Sequence, residues 1–155
     1  MIKRIDVTQH TLAEEIYRVF QVSYRIEADI LKAENFPPLQ RTVLDLQEST
    51  TAFYGFYKDG QMAAVIEVIE EKNNTHIQSL VVDPDYFRQG IGKRLMDFVM
   101  EQNTNAIYTV ETGVDNGPAC SLYKSLGFIE VQQWDTSFGV RKIRFKKGSN
   151  KKTPV

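Results

Sequence analysis

Two glycines, Gly90 and Gly92, lie at the turn between a predicted strand and a predicted helix, and three basic residues surround them. Glycines at such a turn let the backbone approach a ligand closely, and the unpaired amides at a helix start bind anions. Arg88, Lys93 and Arg94 stand where the helix dipole is positive, which costs about 0.3–1 kcal/mol per cation unless an anion is bound. The turn therefore predicts a phosphate site, with a solvated surface turn as the alternative.

Two familiar phosphate-binding patterns do not fit this turn. A P-loop would require a glycine where Phe87 stands and a serine or threonine where Arg94 stands. A dinucleotide-binding fingerprint would require a third glycine in place of Leu95. The residues alone therefore predict a generic anion-binding turn and no particular ligand.

A second motif follows after one more predicted strand, and its residues are Asn116, Ala119, Tyr123, Gly127 and Phe128. This spacing resembles the N-x-x-A-x-x-x-Y-x-x-x-G-F segment of the GCN5-related N-acetyltransferases. The run from Ser79 to Leu95 resembles the acetyl-CoA-binding motif of the same family. Both motifs occur in the family order, so the resemblance covers about residues 75–130. One departure is Phe87, which occupies the family's Arg or Gln position.

The resemblance implies how acetyl-CoA would be held. Main-chain amides of the turn would bind the pyrophosphate, and the preceding strand would pair its main chain with the pantetheine arm. Asn116 would lie beside that arm, with a helix N-cap as its alternative role. No metal is implied. The implied cofactor-binding positions are Leu80, Val81, Val82, Arg88, Gln89, Gly90, Ile91, Gly92, Lys93 and Asn116.

The implied reaction is direct acetyl transfer to a primary amine in a ternary complex. Tyr123 matches the family tyrosine that protonates the departing thiolate, and a phenol with a pKa of about 10 suits that task. The amine must lose a proton, usually to a carboxylate. Glu67 and Glu111 are the candidates for proton acceptor or amine contact, with a place on an exposed sheet face as the alternative. Other carboxylates on the early helical segment and third strand stay unranked: Glu27, Asp29, Glu34 and Glu70.

Alternating strands and helices are predicted to position these residues. Apolar–polar alternation predicts seven strands, and 3.6-residue spacing predicts helices from near Thr11, Gly90 and Asn116, with a short further helix over residues 28–33. The predicted order is β-α-α-β-β-β-α-β-α-β-β, a GNAT-like α/β (α+β) fold with a mixed, mostly antiparallel sheet flanked by helices. A single N-acetyltransferase domain is expected over residues 1–147, followed by a disordered basic tail at 148–155.

Composition limits the other functions. The 155 residues carry 19 Lys+Arg and 20 Asp+Glu, and this near-neutral balance does not support a general nucleic-acid binder. The single cysteine, Cys120, excludes an intrachain disulfide, and a structural thiol is favoured over an acyl-carrying nucleophile. Without a signal peptide or a long apolar run, the chain is predicted to be cytoplasmic and to have no membrane partner.

The predicted partners are acetyl-CoA and an amine acceptor, with no nucleic acid. A homodimer is compatible with the resemblance, since dimers are common in similar proteins. Aromatic residues in the acceptor region could line a pocket or belong to the core, among them Tyr24, Phe36, Tyr54 and Phe56. A non-catalytic acyl-CoA-binding module of the same fold is the alternative function, because no carboxylate is unmistakably the base. The acceptor itself is left open.

Overall fold

The computed structural model describes residues 1–148, so the predicted tail from residue 149 onward lies outside the described residues. The strands are β1 (Ile2–Ile5), β2 (Ala52–Lys58), β3 (Gln61–Glu71), β4 (Asn74–Val82), β5 (Ile107–Gly113), β6 (Ile129–Asp135) and β7 (Arg141–Lys147). The helices are α1 (His10–Leu31), α2 (Pro37–Gln40), α3 (Val43–Gln47), α4 (Ile91–Glu101) and α5 (Gly117–Ser125). No helix within residues 1–148 is long and apolar enough to cross a membrane.

The strands form one seven-stranded sheet in the order β1-β2-β3-β4-β5-β7-β6, in which β4 and β5 are parallel and the other neighbours are antiparallel. The predicted fold class, a mixed and mostly antiparallel sheet with helices on its faces, is confirmed. The β4–β5 pairing covers only Asn74 to Ile77 on β4. Gln78 is then an extra residue in the pairing with β3, a bulge that bends β4. The two central strands consequently separate beyond Ile77.

Each face of the sheet carries its own core, as alternation along the strands requires. One core packs α4 and α5 against the sheet and includes Ile66, Leu95 and Tyr123. The other packs α1 and α3 against the opposite face and includes Ile16 and Leu46. Fully burying one such aliphatic side chain contributes about 1.5–3 kcal/mol, so the two cores fix both helical layers on the sheet.

Helix α1 runs without a break for 22 residues, whereas the sequence predicted a separate helix over residues 28–33. Its last turn packs on β5, where a Cβ at Gly113 would lie 2.5 Å from Leu31 Cδ2. Glycine at this position therefore permits the close approach of α1 to β5. Helices α2 and α3 lie within residues 36–50, a stretch whose sequence shows no clear strand or helix spacing, and a capping box between Thr42 and Asp45 begins α3.

Candidate active site

Helix α4 begins at a turn whose backbone suits a bound anion. The N-cap Gly90 has φ 73°, in the left-handed region, and no side chain caps the helix. Arg88 is also left-handed, with φ 66°. The first amides of α4, at Ile91, Gly92 and Lys93, therefore lack a capping side chain and are directed away from the helix. An 11-residue helix adds its positive dipole end to these amides.

A cavity of about 570 Å³ opens beside this turn, between β4, β5, α4 and α5. It lies where the two central strands separate, so the main chain of β4 after Gln78 pairs with β3 and not with β5. The uncapped amides at one end of the cavity suit a diphosphate group. The unpaired edge of β4 along one wall suits an extended arm that pairs with it as an added strand. Of the implied cofactor-binding residues, the cavity lining includes Leu80, Val82, Arg88, Gly90, Ile91, Gly92, Lys93 and Asn116.

The other two implied residues have side chains elsewhere. Val81 is buried in the core on the α1 side, and the Gln89 side chain accepts a hydrogen bond from the Lys58 ammonium. The resemblance implies that Val81 and Gln89 contact acetyl-CoA through their main chains. The positions of their side chains do not test this, so both roles stay predictions.

The three cations of the turn separate in the structure. The Arg94 guanidinium lies 4.9 Å from the centroid of the Phe56 ring and does not line the cavity. Lys93 Nζ donates to Asp97 Oδ2 at 2.7 Å, and both Lys93 and Arg88 line the cavity. Two of the three basic residues, Arg88 and Lys93, therefore lie at the predicted anion site, and Arg94 does not.

Tyr123 and Asn116 both extend from α5 to this cavity. The Tyr123 ring packs against Phe128 and Phe145 with centroids 5.9 and 5.8 Å away. Burial raises the pKa of the Tyr123 hydroxyl, which has no hydrogen-bond partner within residues 1–148 and therefore keeps its proton at neutral pH. Asn116 caps α5, because its Oδ1 accepts from the Ala119 amide at 3.3 Å.

A second cavity of about 660 Å³ adjoins the first on the α1 side of the sheet. The sequence left a pocket or the core open for four aromatic residues. Tyr24 and Phe36 line this cavity and also belong to the core on the α1 side, whereas Tyr54 and Phe56 belong to the core under α4. Phe138 contacts Phe36 edge-on at 5.9 Å and extends the aromatic wall. The residues that line both cavities define the junction: Tyr24, Glu27, Gln78, Ser79, Glu111 and Thr112.

The two predicted carboxylates occupy different places. Glu111 lines the junction, where its Oε2 lies 2.7 Å from Arg144 and its Oε1 lies 3.7 Å from Lys142. Glu67 is fully buried behind the wall and is not among the described residues that line the two cavities. The structure therefore brings Glu111, and not Glu67, together with Tyr123.

Glu67 is the centre of a buried polar network. Arg41 donates to its two oxygens at 2.7 and 2.8 Å, and Thr51 and Ser79 donate to the same carboxylate at 2.7 and 3.0 Å. The Arg41 guanidinium also lies 5.8 Å from the Phe53 ring centroid. This network fixes two cavity-lining side chains, Arg41 and Ser79.

Replacing Glu67 by glutamine is expected to lower the free energy of unfolding by about 2–4 kcal/mol, because the partly buried Arg41 guanidinium loses its ionic partner. Urea denaturation measures this loss, and Glu70→Gln on the exposed end of the same strand is the matched control. Unchanged stability with an altered pH dependence of turnover would contradict this structural role and make Glu67 a proton acceptor.

Glu27 is the junction residue that the sequence left unranked. It is partly buried, and this burial raises its pKa to about 7 while the Lys142 ammonium acts in the opposite direction. The sequence did indicate a buried position for Glu27, because Glu27 stands at helical spacing between Tyr24 and Leu31 on the apolar stripe of α1. Because the sequence predicted a separate helix from residue 28, Glu27 was not placed on the same stripe as Leu31.

Comparison with known proteins agrees with this geometry. The acetyltransferase (GNAT) family profile matches residues 12–128. The chain is 31% identical over 112 residues to the [ribosomal protein bS18]-alanine N-acetyltransferase of Escherichia coli, covering 70% of this chain and 74% of that protein. The chain therefore belongs to the acetyltransferase (GNAT) family. The predicted family and enzyme class, an N-acetyltransferase of the GNAT type, are confirmed.

The chain is also similar to a second relative by sequence and to a solved acetyltransferase by structure. The chain is 38% identical over 133 residues to UPF0157 protein YqkA of Bacillus subtilis; the match covers 85% of the chain but spans only 39% of that relative. The PaiA N-acetyltransferase of Thermoplasma acidophilum, solved in complex with coenzyme A, superposes with a TM-score of 0.70 at 16% identity, covering 95% of each chain or more. At that identity the likeness shows the shared fold.

Proposed function

We propose that this chain is an acetyl-CoA-dependent N-acetyltransferase that transfers the acetyl group directly to a primary amine while both substrates are bound. The observation that carries the proposal is the junction of two cavities, one beside the uncapped start of α4 and one beside the aromatic wall. A thioester in the first and an amine in the second would meet at this junction. Holding two reactants in contact removes much of the entropic cost of a bimolecular reaction.

Acetyl-CoA is assigned to the cavity between β4 and β5. The amides of residues 91–93, with the Arg88 side chain beside them, would bind the pyrophosphate. The main chain of β4 from Ser79 to Val82, including Val81, would pair with the pantetheine arm as an added strand. The Gln89 amide belongs to the same turn. These assignments are supported by the uncapped helix start and by the end of β4–β5 pairing at Ile77.

Tyr123 is assigned as the general acid. Two protons leave the ammonium nitrogen during the reaction: one ends on sulfur as the C–S bond breaks, and one is released. Tyr123 Oη would supply the proton to sulfur and regain one from the reacting nitrogen. Glu111, whose charge is balanced by Arg144 and Lys142, is assigned to accept a hydrogen bond from the amine at the junction, and Glu67 to position Ser79 and Arg41.

Cys120 supports direct transfer over an acyl-enzyme route. Its Sγ lies 3.8 Å from the main-chain oxygens of Gly113 and Val114, and burial raises the pKa of the thiol. A nucleophilic cysteine requires the opposite, a lowered pKa or an adjacent base. A structural thiol agrees with these contacts.

The acceptor is assigned to the class of primary amines whose neighbouring group can pack on an aromatic wall. Phe20, Phe36 and Phe138 supply that wall, and Glu27 supplies negative charge near the amine. The relative from Escherichia coli is named for an alanine of a ribosomal protein. A peptide with an N-terminal alanine is therefore the first acceptor to test.

Acetyl-CoA at one hundred times its Kd is expected to stabilise the protein by about 2.7 kcal/mol, or roughly 5–10 °C in Tm. A screen of thiol release should then compare peptide amino termini, polyamines, amino sugars and small alkylamines as acceptors. Thiol release that depends on one of these amines supports the proposal. The absence of thiol release with every amine would refute the transfer reaction, and the absence of a thermal shift as well would refute the binding of acetyl-CoA.

A further inference from the structure

A carboxylate outside both sequence motifs lies where the two cavities meet. Glu27, on the penultimate turn of α1, lines both the acetyl-CoA cavity and the acceptor cavity. Within residues 1–148 it has no hydrogen-bond or ion-pair partner, and its environment is set by burial and the more distant Lys142. The packing of Leu31 on Gly113 holds this part of the helix over β5. Its oxygens are therefore available to a ligand at the junction.

Glu111 shares the junction but is engaged differently. Its two carboxylate oxygens face Arg144 and Lys142, which lie on the neighbouring strand β7. An ammonium group near Glu111 would meet an anion already neutralised by two cations. Glu27 offers lone pairs that no cation within the described residues contacts.

We propose that Glu27 is the residue that accepts a proton from the acceptor amine, an inference that rests on the proposed transfer reaction. The ammonium nitrogen gives one proton to a Glu27 oxygen, directly or through a water molecule. The lone pair so released forms the C–N bond while the C–S bond breaks and its electron pair stays on sulfur, which Tyr123 protonates. Tyr123 regains a proton from the new amide nitrogen, and Glu27 returns its proton to solvent, so the two protons lost by the ammonium group end on sulfur and in solvent.

The groups around Glu27 favour this role. Tyr24 faces it from α1, Tyr123 from α5, Glu111 from β5 and Lys142 from β7. A base is most effective when its pKa lies close to the working pH, and burial raises the pKa of Glu27 to about 7. The Glu27 charge also raises the pKa of both tyrosines, so Tyr123 stays protonated when Glu27 is ready to accept.

Glu27 must be deprotonated to act, so turnover should rise with pH through about 7 and fall tenfold per unit below it. In Glu27→Gln this rise should disappear, and kcat at pH 8 should drop about 10²–10³-fold. The amine's own ionisation affects both proteins alike, so the difference between the two profiles reports Glu27.

The experiment measures kcat from pH 5.5 to 9 with the best acceptor of the thiol-release screen, for the wild type, Glu27→Gln, Glu111→Gln and Asp29→Asn. Asp29 is exposed on the same helix and serves as the matched control. Loss of the rise near pH 7 in Glu27→Gln alone supports the proposal. Its retention in Glu27→Gln, or its loss only in Glu111→Gln, overturns it.

A second readout needs no turnover. Carbon-13 NMR titration of the labelled carboxyl should show a group that titrates near pH 7 and is missing in Glu27→Gln, and a Glu27 titration below about pH 5.5 overturns the assignment. The outcomes separate the two proposals: a wild type without amine-dependent thiol release refutes the transfer function itself. A wild type that turns over, with an unchanged profile in Glu27→Gln, refutes only the role of Glu27.

Discussion

Replacing Tyr123 by phenylalanine is expected to lower kcat by about 10²–10⁴-fold while changing the Kd of acetyl-CoA by no more than about threefold. The ring keeps its contacts with Phe128 and Phe145, and the lost hydroxyl has no partner within residues 1–148. Stability should therefore change by less than about 1 kcal/mol. The departing sulfur would then lose its proton donor, which slows bond cleavage and leaves binding intact.

Tyr54→Phe is the matched control, since Tyr54 is buried in the same core but outside both cavities. Single-turnover kinetics and calorimetric titration of acetyl-CoA separate the chemical step from binding. If Tyr123→Phe keeps more than about a tenth of the wild-type kcat, another group protonates the sulfur. A protein that binds acetyl-CoA normally and has no turnover to lose would instead be an acyl-CoA-binding module.

Replacing Gly92 by aspartate is expected to weaken acetyl-CoA binding by about 10²–10³-fold without unfolding the protein. A Cβ at Gly92 would lie 3.5 Å from Leu122 and 3.9 Å from Leu80, which is ordinary contact. The carboxylate would enter the proposed pyrophosphate site, where repulsion between unit charges about 4–5 Å apart costs roughly 3–4 kcal/mol. In the first turn of a helix an aspartate is itself favourable, so Tm should not fall.

Calorimetric titration measures this loss of affinity, with Gly60→Asp as the control. Gly60 lies in the β2–β3 hairpin with φ 78°; a Cβ there meets no atom within 4 Å, but the left-handed backbone strains a side chain, so Tm is measured together with the Kd. Its carboxylate should leave the Kd of acetyl-CoA within about twofold, because salt screens exposed charges at a distance. An unchanged Kd in Gly92→Asp would show that the pyrophosphate binds elsewhere than at the start of α4.

The sequence was informative about the acetyl-CoA side because that side is built from local elements. Gly90 and Gly92 indicate a strand-to-helix turn whatever the rest of the chain packs against. Asn116 and Tyr123 keep a fixed spacing because they belong to one helix and its N-cap. The order of strands and helices followed from periodicity for the same reason. Even here the side chains of Arg94 and Gln89 took other partners, since Phe56 and Lys58 come from a distant strand.

The acceptor side depends on contacts between distant segments, and the sequence was less informative there. Arg41, which binds Glu67, lies in a stretch without periodicity, so this buried pair could not be predicted from the strand alone. Glu27 could be ranked only once α1 was known to continue to Leu31 and to pack on Gly113. A carboxylate on the apolar stripe of a helix indicates a buried acidic group, provided that the predicted helix extends far enough to include it.

The central claim is that the acetyl group passes from acetyl-CoA to an amine nitrogen at the junction of the two cavities. Incubation with acetyl-CoA carrying a carbon-13 label in its carbonyl group, together with a panel of amines that includes an N-terminal alanine peptide, tests it most directly. The predicted result is one labelled amide per free thiol released, seen by NMR and mass spectrometry. Thiol release with labelled acetate and no labelled amide, or no thiol release with any amine, would contradict the claim.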